Sequence, residues 1–210
     1  MILKHEAISD IITIDFGKIF SKMFKCSTLL ELKGYINEVS ELYEEYSYKS
    51  KIKFEGDLFE IFAEVFINLN SSDNRIGIYD YEPITSDEDN GVDGIGKHTD
   101  GKVCTVQVKF RNNITYELVS EDIKQFPFQS VALYGVEYNT NKYMVVFTNC
   151  KGLHWHTLNN VLLKRVRVIN GELISMLIDN NKAFWEKSNE LMYDTVKSFG
   201  IEEFLGKFKE

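Results

Sequence analysis

Hydrophobic residues recur at helical spacing through the first third of the chain. Steps of three and four place Leu29, Leu32, Ile36, Val39 and Leu42 on one face of a helix. Breaks near residues 25–28 and 34 divide the stretch from residue 8 to about 48. This stretch therefore predicts two or three helices.

The stretch 51–70 predicts a strongly buried helix. Its apolar residues include Leu58, Phe59, Phe62, Val65 and Phe66. Asp57 precedes this run and is the candidate N-cap, because its carboxylate can accept backbone N–H groups of the first turn.

Strict alternation replaces helical spacing between residues 91 and 110. Asp100-Gly101 favours a tight turn between two strands. In the second strand the polar face is Thr105, Gln107 and Lys109, and the apolar face is Val106, Val108 and Phe110. A hairpin of this kind brings residues from both strands to one surface.

Helix and strand patterns alternate to the end of the chain. Residues 120–129 predict a helix whose end Pro127 disturbs. The runs 143–148 and 166–169 predict strands, and Asn170-Gly171 stops the second. Two helices near 172–178 and 182–199 follow, the last with Phe184 and Trp185 as core anchors. This mixture predicts the α/β class.

Composition and charge restrict the class of protein. The 210 residues are 44% hydrophobic and 27% charged, which is ordinary for a folded chain of one sizeable domain. Because no apolar run reaches the roughly 18–20 residues that cross a bilayer, we expect a cytoplasmic protein without a membrane partner. The scattered Cys26, Cys104 and Cys150 predict buried or half-buried thiols. A net charge of −8 argues against broad electrostatic binding to nucleic acid, but it is compatible with local basic strips on the surface.

The candidate chemistry lies between residues 93 and 109. Asp93 stands at a turn, while Gln107 and Lys109 project from the same face of the following strand. Phosphodiester hydrolysis uses hard divalent cations, which oxygen ligands hold. Asp93 supplies a carboxylate, Gln107 a neutral carbonyl oxygen, and Glu60 on the preceding helix another charge. Lys109 can offset transition-state charge or orient water.

Three short motifs carry a family resemblance: Gly56-Asp57-Leu58-Phe59-Glu60, Gly91-Val92-Asp93-Gly94 and Gln107-Val108-Lys109. They resemble the PD-(D/E)XK nucleases, in the branch similar to Mrr-type restriction endonucleases, where the last motif is commonly Q-x-K. The resemblance covers roughly residues 51–178. It implies a restriction-endonuclease-like core with a mixed central β-sheet flanked by helices, Mg²⁺ or Mn²⁺ as cofactor, and a 5′-phosphate product. Gln107 replaces the commoner Asp or Glu, which removes one charge, and the resemblance makes Glu60 the compensating ligand.

This interpretation divides the chain into three segments. Residues 1–50 form an extra N-terminal helical region, residues 51–180 the nuclease core, and residues 181–210 a C-terminal helix that packs on the core. The N-terminal helices are either scaffolding or elements for dimerisation or DNA reading. A homodimer is expected if two active sites read a DNA sequence.

Basic and amide side chains around the motifs are the candidate DNA contacts. They are Lys97, Lys102, Arg111, Lys124 and Gln125, with a second cluster of Lys164, Arg165 and Arg167. A solvated hairpin tip explains Lys97 and Lys102 equally well. His154 and His156, beside the second cluster, predict a surface pair rather than a metal site, because a third ligand at suitable spacing is missing from the sequence around them.

The sequence thus predicts a Mg²⁺-dependent or Mn²⁺-dependent endonuclease that hydrolyses phosphodiester bonds in double-stranded DNA. Restriction, homing or mobile-element, and repair enzymes all fit this pattern. The alternative is a catalytically decayed nuclease fold that serves as a nucleic-acid-binding or assembly module, and an RNA substrate is a third option.

Overall fold

The computed structural model describes residues 1–15, 18–84 and 91–200. The chain forms two compact units. A helical unit contains the described residues of Met1–Leu69 and Ser175–Gly200, and a sheet unit contains those of Asn70–Ile174. The segment boundaries expected at residues 50 and 180 come from the sequence motifs and stay predictions. Residues 201–210 of the predicted last segment lie outside the described residues.

Helices and strands alternate along the chain. In order they are α1 (Ala7–Asp15), α2 (Lys18–Met23), α3 (Leu29–Ser40), α4 (Lys51–Leu69), β1 (Ile78–Pro83), β2 (Gly94–His98), β3 (Val103–Lys109), β4 (Glu117–Leu118), α5 (Ser120–Ile123), α6 (Phe126–Tyr134), β5 (Met144–Thr148), β6 (Gly152–Leu153), α7 (Trp155–Leu158), β7 (Val166–Ile169), α8 (Gly171–Ile178) and α9 (Lys182–Ser198). The boundary between the two units falls within α8.

The helical unit contains the helices that the hydrophobic spacing predicts before residue 50. The break expected near residue 34 was wrong, because α3 continues through Gly34. α3 begins where Thr28 Oγ1 accepts the backbone N–H of Glu31 at 3.1 Å. α9 is anchored by Phe184 and Trp185, which are both buried, and the Trp185 indole N–H donates to the last carbonyl of α8 at 2.9 Å. The prediction that these two residues are core anchors is confirmed.

α4 is the central buried helix, as its composition predicts, but its start differs from the prediction. Ser50 Oγ accepts the backbone N–H of Lys53 at 3.1 Å, so Ser50 caps the helix. Asp57 lies inside the helix and is 2% exposed, so the expectation that Asp57 is the N-cap was wrong. Residues 51–53 already form the first turn, because lysine is a good helix former and occupies two of these three positions.

The sheet unit contains a mixed five-stranded sheet in the order β1-β2-β3-β5-β7. β1, β2 and β3 are antiparallel neighbours, and β5 and β7 run parallel to β3. The Asp100-Gly101 turn between β2 and β3 is the predicted one, and Gly101 has a φ of 82° that favours glycine. Helices flank the sheet, so the α/β class and the mixed sheet are confirmed.

An apolar cluster covers one face of this sheet. It consists of Val92, Leu118, Ile123, Phe126, Val136, Tyr143, Met144, Val146, Cys150, Leu163 and Val166. β5 is buried at all five positions, as its apolar run predicts. A strand that is covered on both faces gives every side chain a buried environment.

Pro127 begins a helix instead of ending one. The stretch 120–129, predicted as one helix, forms the short α5 and the start of α6, and Pro127 lies in the first turn of α6. At that position its missing N–H has no helical partner to lose, so proline fits there. Gly135, at a φ of 64°, then ends α6.

β1 is an irregular edge strand. Its pairing with β2 shifts register between Tyr79 and Glu82, Asp80 has a φ of 50°, and Pro83 ends the strand.

The three cysteines are free thiols, buried or half-buried as predicted. Among the described residues no helix combines the length and the apolar character needed to cross a lipid bilayer.

Candidate metal and nucleic-acid site

Asp93 lies directly before β2 and is fixed against β3 by its backbone and its side chain. Its backbone N–H donates to Val106 O at 2.9 Å, and its Oδ2 accepts the backbone N–H of Val108 at 2.6 Å. Gly94 pairs with Val106, so continuing the register by one step places Asp93 opposite Gln107. The carboxylate therefore lies beside the predicted motif strand.

Gln107 is a buried side chain with an unsatisfied oxygen. It is 3% exposed, and its Oε1 has no hydrogen-bond partner in the part of the chain that the structure describes. Gly91, at a φ of 72°, approaches it closely, because a Cβ at that position would lie 3.3 Å from Gln107 Nε2. A buried acceptor without a partner costs about 1–3 kcal/mol, so its presence requires an explanation.

Thr105, two residues earlier on the same face of β3, shows the ordinary arrangement. It is fully buried, and its Oγ1 donates to Ser130 Oγ on α6 at 2.8 Å. At Thr105 and Gln107 the polar face predicted from alternation is therefore buried, whereas Lys109 at the end of the strand is half-buried. Gln107 differs from Thr105 in keeping an unpaired atom.

Lys109 is the last residue of β3 and is half-buried. Its carbonyl accepts the hydroxyl of Thr148 at 2.7 Å, which holds the end of β3 against β5. No described acidic residue lies within ion-pair distance of its ammonium group. Asp93, directly before β2, thus lies opposite Gln107, and Lys109 follows two residues later at the end of β3.

Asn149 also holds the chain after β3 against the end of β5, and the sequence did not predict this role. Asn149 is 2% exposed, its Oδ1 accepts the Arg111 N–H at 2.8 Å, and its Nδ2 donates to Arg111 O at 2.7 Å. The side-chain amide replaces the backbone pairing that ends after Lys109. An asparagine directly after a buried strand was the only sequence signal for it.

Glu60 lies on α4 in the helical unit, together with His5 and Asp57. Its Oε2 lies 2.9 Å from His5 Nε2, and one ligand atom from each of the three residues lies within 4.8 Å of the others. Asp57 accepts the hydroxyl of Tyr48 at 2.6 Å and pairs with Lys53 at 2.7 Å. The sequence did not predict His5, which is 55 residues away from Glu60.

Hydrogen bonding in this cluster favours proton sharing over metal binding. His5 Nδ1 accepts the Ala7 backbone N–H at 3.2 Å, so Nε2 carries the proton and donates to Glu60. Burial lowers the pKa of His5, but the hydrogen bond and charge of Glu60 outweigh it, so the pKa is raised overall. A cation would have to displace that proton and the Lys53 ammonium group.

Most of the predicted DNA contacts near the hairpin are already paired. The pairs are Lys97 with Asp80 at 3.0 Å, Lys102 with Glu137 at 2.7 Å, Arg111 with Asp122 at 2.7 Å and Lys124 with Glu121 at 2.6 Å. The three lysine pairs are exposed and contribute only about 0–1 kcal/mol each, so phosphate can replace their acids. The Arg111–Asp122 pair is partly buried, and Asp122 also accepts the backbone N–H of Val119 at 2.8 Å. Gln125 is exposed beside Gly91.

In the second basic cluster, the side chain of Arg167 has hydrogen-bond partners within the protein, whereas the side chains of Lys164 and Arg165 have none among the described residues. Arg167 is half-buried and donates to the backbone carbonyls of Arg75 at 2.6 Å and Ile76 at 2.8 Å. Burial lowers its pKa, and these contacts give it a structural role. Lys164 is exposed and Arg165 half-exposed, so they remain available to a ligand.

His154, Trp155 and His156 form a contiguous group of rings. The Trp155 and His156 ring centroids are 3.3 Å apart, and His154 Nδ1 accepts the His156 N–H at 3.3 Å. Among the described residues no carboxylate or cysteine joins the two histidines as a third metal ligand.

Comparisons of the whole chain with protein-family models, with curated proteins and with solved structures found no match.

Proposed function

We propose that this protein is a metal-dependent endonuclease that hydrolyses phosphodiester bonds in DNA, with Asp93, Gln107 and Lys109 at its centre. The observation that carries the proposal is the unsatisfied Oε1 of Gln107, buried on the strand opposite Asp93. A bound cation would satisfy this oxygen, because Mg²⁺ and Mn²⁺ prefer oxygen ligands. Thr105, on the same face, has its partner and needs no such explanation.

Each side chain has a distinct role in this proposal. The Asp93 carboxylate and the Gln107 carbonyl would hold Mg²⁺ or Mn²⁺, which when bound polarises the phosphate and lowers the pKa of a water. Asp93 is held by Val108 N–H, so it needs little reorganisation to act as a ligand. Lys109 would offset negative charge at the phosphate, and its backbone is fixed by Thr148.

The family resemblance alone assigns Glu60 as a metal ligand, and that assignment stays a prediction. Its carboxylate is hydrogen-bonded to His5, so a ligand role requires Glu60 to exchange that partner. Glu60→Gln tests the assignment directly. If Glu60 is a ligand, this variant loses metal affinity, whereas a purely structural role changes only the stability of the helical unit.

The fold supports the proposal at the level of arrangement. The mixed sheet flanked by helices is what the resemblance implies, with the acid before β2 and the Gln-x-Lys couple at the end of β3. A restriction-endonuclease-like core, a DNA partner and a homodimer are parts of this proposal. The net charge of −8 means that DNA binding should depend on local basic surfaces.

Cleavage of supercoiled plasmid and of labelled duplex DNA in Mg²⁺ or Mn²⁺ tests the proposal. Asp93→Ala and Lys109→Ala should each lower the rate at least about 100-fold, the scale expected for losing one charge-stabilising group. Lys182→Ala and Glu186→Ala, which remove the two partners of an exposed ion pair on α9, are the matched controls and should cleave like the wild type. Activity that survives both Asp93→Ala and Lys109→Ala would rule out this centre.

The second candidate is a nuclease fold that binds nucleic acid without cleaving it. The neutral Gln107 favours this candidate, because the site then has one charge fewer with which to hold a cation. Calorimetry with Mn²⁺ separates the two. Metal-dependent heat that Gln107→Met abolishes supports the enzyme, and binding of DNA without metal uptake supports the binding module.

A further inference from the structure

One stretch of this acidic chain contains no acidic residue. Residues 138–171 contain five lysines and arginines and two histidines but no aspartate or glutamate, in a chain with 32 acidic residues. The stretch includes β5, β6, α7 and β7 of the sheet unit. The absence of acids from this stretch reduces its repulsion of a polyanion, although Glu117 of β4 pairs with Lys151 at 2.5 Å.

Residues 154–165, here called the 154–165 segment, form a compact surface within this stretch. α7 is followed by turns that are closed by the N–H of Asn160 on Thr157 O at 3.1 Å and the N–H of Lys164 on Asn160 O at 2.9 Å. The N–H of His154 donates to Leu118 O at 2.9 Å and ties the segment to β4. The segment therefore presents its side chains from a fixed backbone.

Large apolar side chains project from the segment into solvent. Trp155 is 57% exposed, Leu158 50%, Val161 67% and Leu162 63%. Single exposed apolar residues are common, but four in eight consecutive residues form a patch that typically marks a binding surface. Lys164 and Arg165 follow at once and have no ion pair with a described residue.

The Trp155 indole is both exposed and held in place. The His156 ring packs on it at a centroid distance of 3.3 Å and an interplanar angle of 31°, and the His154 ring lies 5.8 Å away. An aromatic ring with restricted motion loses little entropy when a flat ligand stacks on it. The group is suited to a planar aromatic partner.

We propose that the 154–165 segment binds an unpaired DNA strand, with one base stacked on Trp155 and phosphates near Lys164 and Arg165. An unpaired strand offers apolar base faces and anionic phosphates together, as this surface requires, whereas a duplex hides its base faces in the stack. The inference rests on the proposed function in taking DNA as the partner. It adds that the substrate contains an unpaired region.

The position of the segment agrees with this role. Lys109 pairs with Thr148 at the carboxyl ends of the parallel strands β3 and β5, and the chain leaves β5 there toward the segment. Trp155 therefore follows shortly after the sheet edge at which Lys109 lies. The segment and Lys109 belong to the same compact unit.

Tryptophan fluorescence tests the inference directly, because the chain has two tryptophans and Trp185 is only 5% exposed. An oligothymidylate of about 15 nucleotides, long enough for one binding site, is titrated in EDTA so that no cleavage occurs. Stacking should quench the exposed Trp155, and Trp155→Ala should weaken binding roughly 5- to 150-fold, which corresponds to the ~1–3 kcal/mol of one base–aromatic stack. Phe128→Ala, another exposed aromatic residue of the sheet unit, is the matched control and should bind like the wild type.

Additional binding measurements distinguish an unpaired DNA strand from other partners. A duplex of equal length should bind more weakly than the single strand, and Lys164→Ala with Arg165→Ala should reduce the slope of log affinity against log salt by about 0.7 for each phosphate that the variant no longer neutralises. A blue shift with vesicles of phosphatidylglycerol, instead of quenching by the oligonucleotide, would identify a lipid surface and overturn the inference. Equal affinity of Trp155→Ala and the wild type would overturn it as well. Binding in EDTA without any metal-dependent cleavage would instead refute the proposed function and leave this inference standing.

Discussion

Gln107→Met should make the protein more stable in metal-free buffer while abolishing the proposed metal site. Methionine has nearly the length of glutamine and no strongly polar atom, so it fills the same space beside Gly91. In the wild type Gln107 Oε1 is buried without a partner among the described residues. Removing an acceptor of this kind should recover part of its desolvation cost.

The size of the effect follows from the burial of this atom. An unsatisfied buried acceptor costs about 1–3 kcal/mol, and the simultaneous removal of the amide nitrogen offsets some of this. We expect a net gain of about 1–2 kcal/mol in the free energy of unfolding. For a chain of this length that corresponds to a Tm higher by about 2–8 °C.

Thr105→Val is the matched control, because it makes the same kind of change two residues away on the same strand. Thr105 Oγ1 donates to Ser130 Oγ at 2.8 Å, so valine would leave Ser130 without this partner in a fully buried position. This variant should lose about 1–3 kcal/mol. The two apolar replacements should therefore change stability in opposite directions.

Urea denaturation in EDTA, followed by far-ultraviolet circular dichroism, measures both variants against the wild type. Addition of Mn²⁺ should then stabilise the wild type and leave Gln107→Met unchanged, since a ligand that binds only the folded state raises its stability. If Gln107→Met loses as much stability as Thr105→Val, Oε1 has a partner in solution. The main support for the metal site would then be gone.

Three further predictions concern other parts of the chain. Gly171→Ala should lower the Tm by an amount equivalent to about 1–3 kcal/mol, because its Cβ would lie 2.3 Å from a backbone oxygen. Burial raises the pKa of Cys26 to about 11 and of Cys104 to about 12, so a thiol reagent near about pH 8 should label Cys26 slowly and Cys104 only after unfolding. The Tyr143 hydroxyl lowers the pKa of Asp100 to about 2, so Tyr143→Phe should raise it toward its ordinary value in an NMR titration; the stability that Asp100 contributes is present above its unfolded pKa and is lost as the pH falls toward 2.

Local patterns predicted much of the fold. The Asp100-Gly101 turn needs only glycine and two flanking strands, and β5 needs only its apolar run. The start of α4 was not predicted correctly, because Ser50 and Asp57 are both good caps and only the structure shows which one precedes the first turn. Pro127 was similarly ambiguous between the end of one helix and the start of the next.

The candidate site was predictable only in part. Alternation along one strand places Gln107 and Lys109 on one face, but it says nothing about the unsatisfied Oε1, which depends on how the neighbouring elements pack. The contact between His5 and Glu60 joins residues that are far apart in sequence, and the Asn149–Arg111 contact joins two strand ends. Contacts of this kind leave no periodic pattern in a single sequence.

The irregular β1 strand limits how two copies of this chain can associate. Adding a strand to a sheet requires a regular row of free backbone groups, and the register shift, the left-handed Asp80 and the terminal Pro83 interrupt that row. A continuous ten-stranded sheet built through two β1 edges is therefore unfavourable. A homodimer of this protein would thus not form by pairing its β1 edges, and the opposite edge of the sheet is the short strand β7.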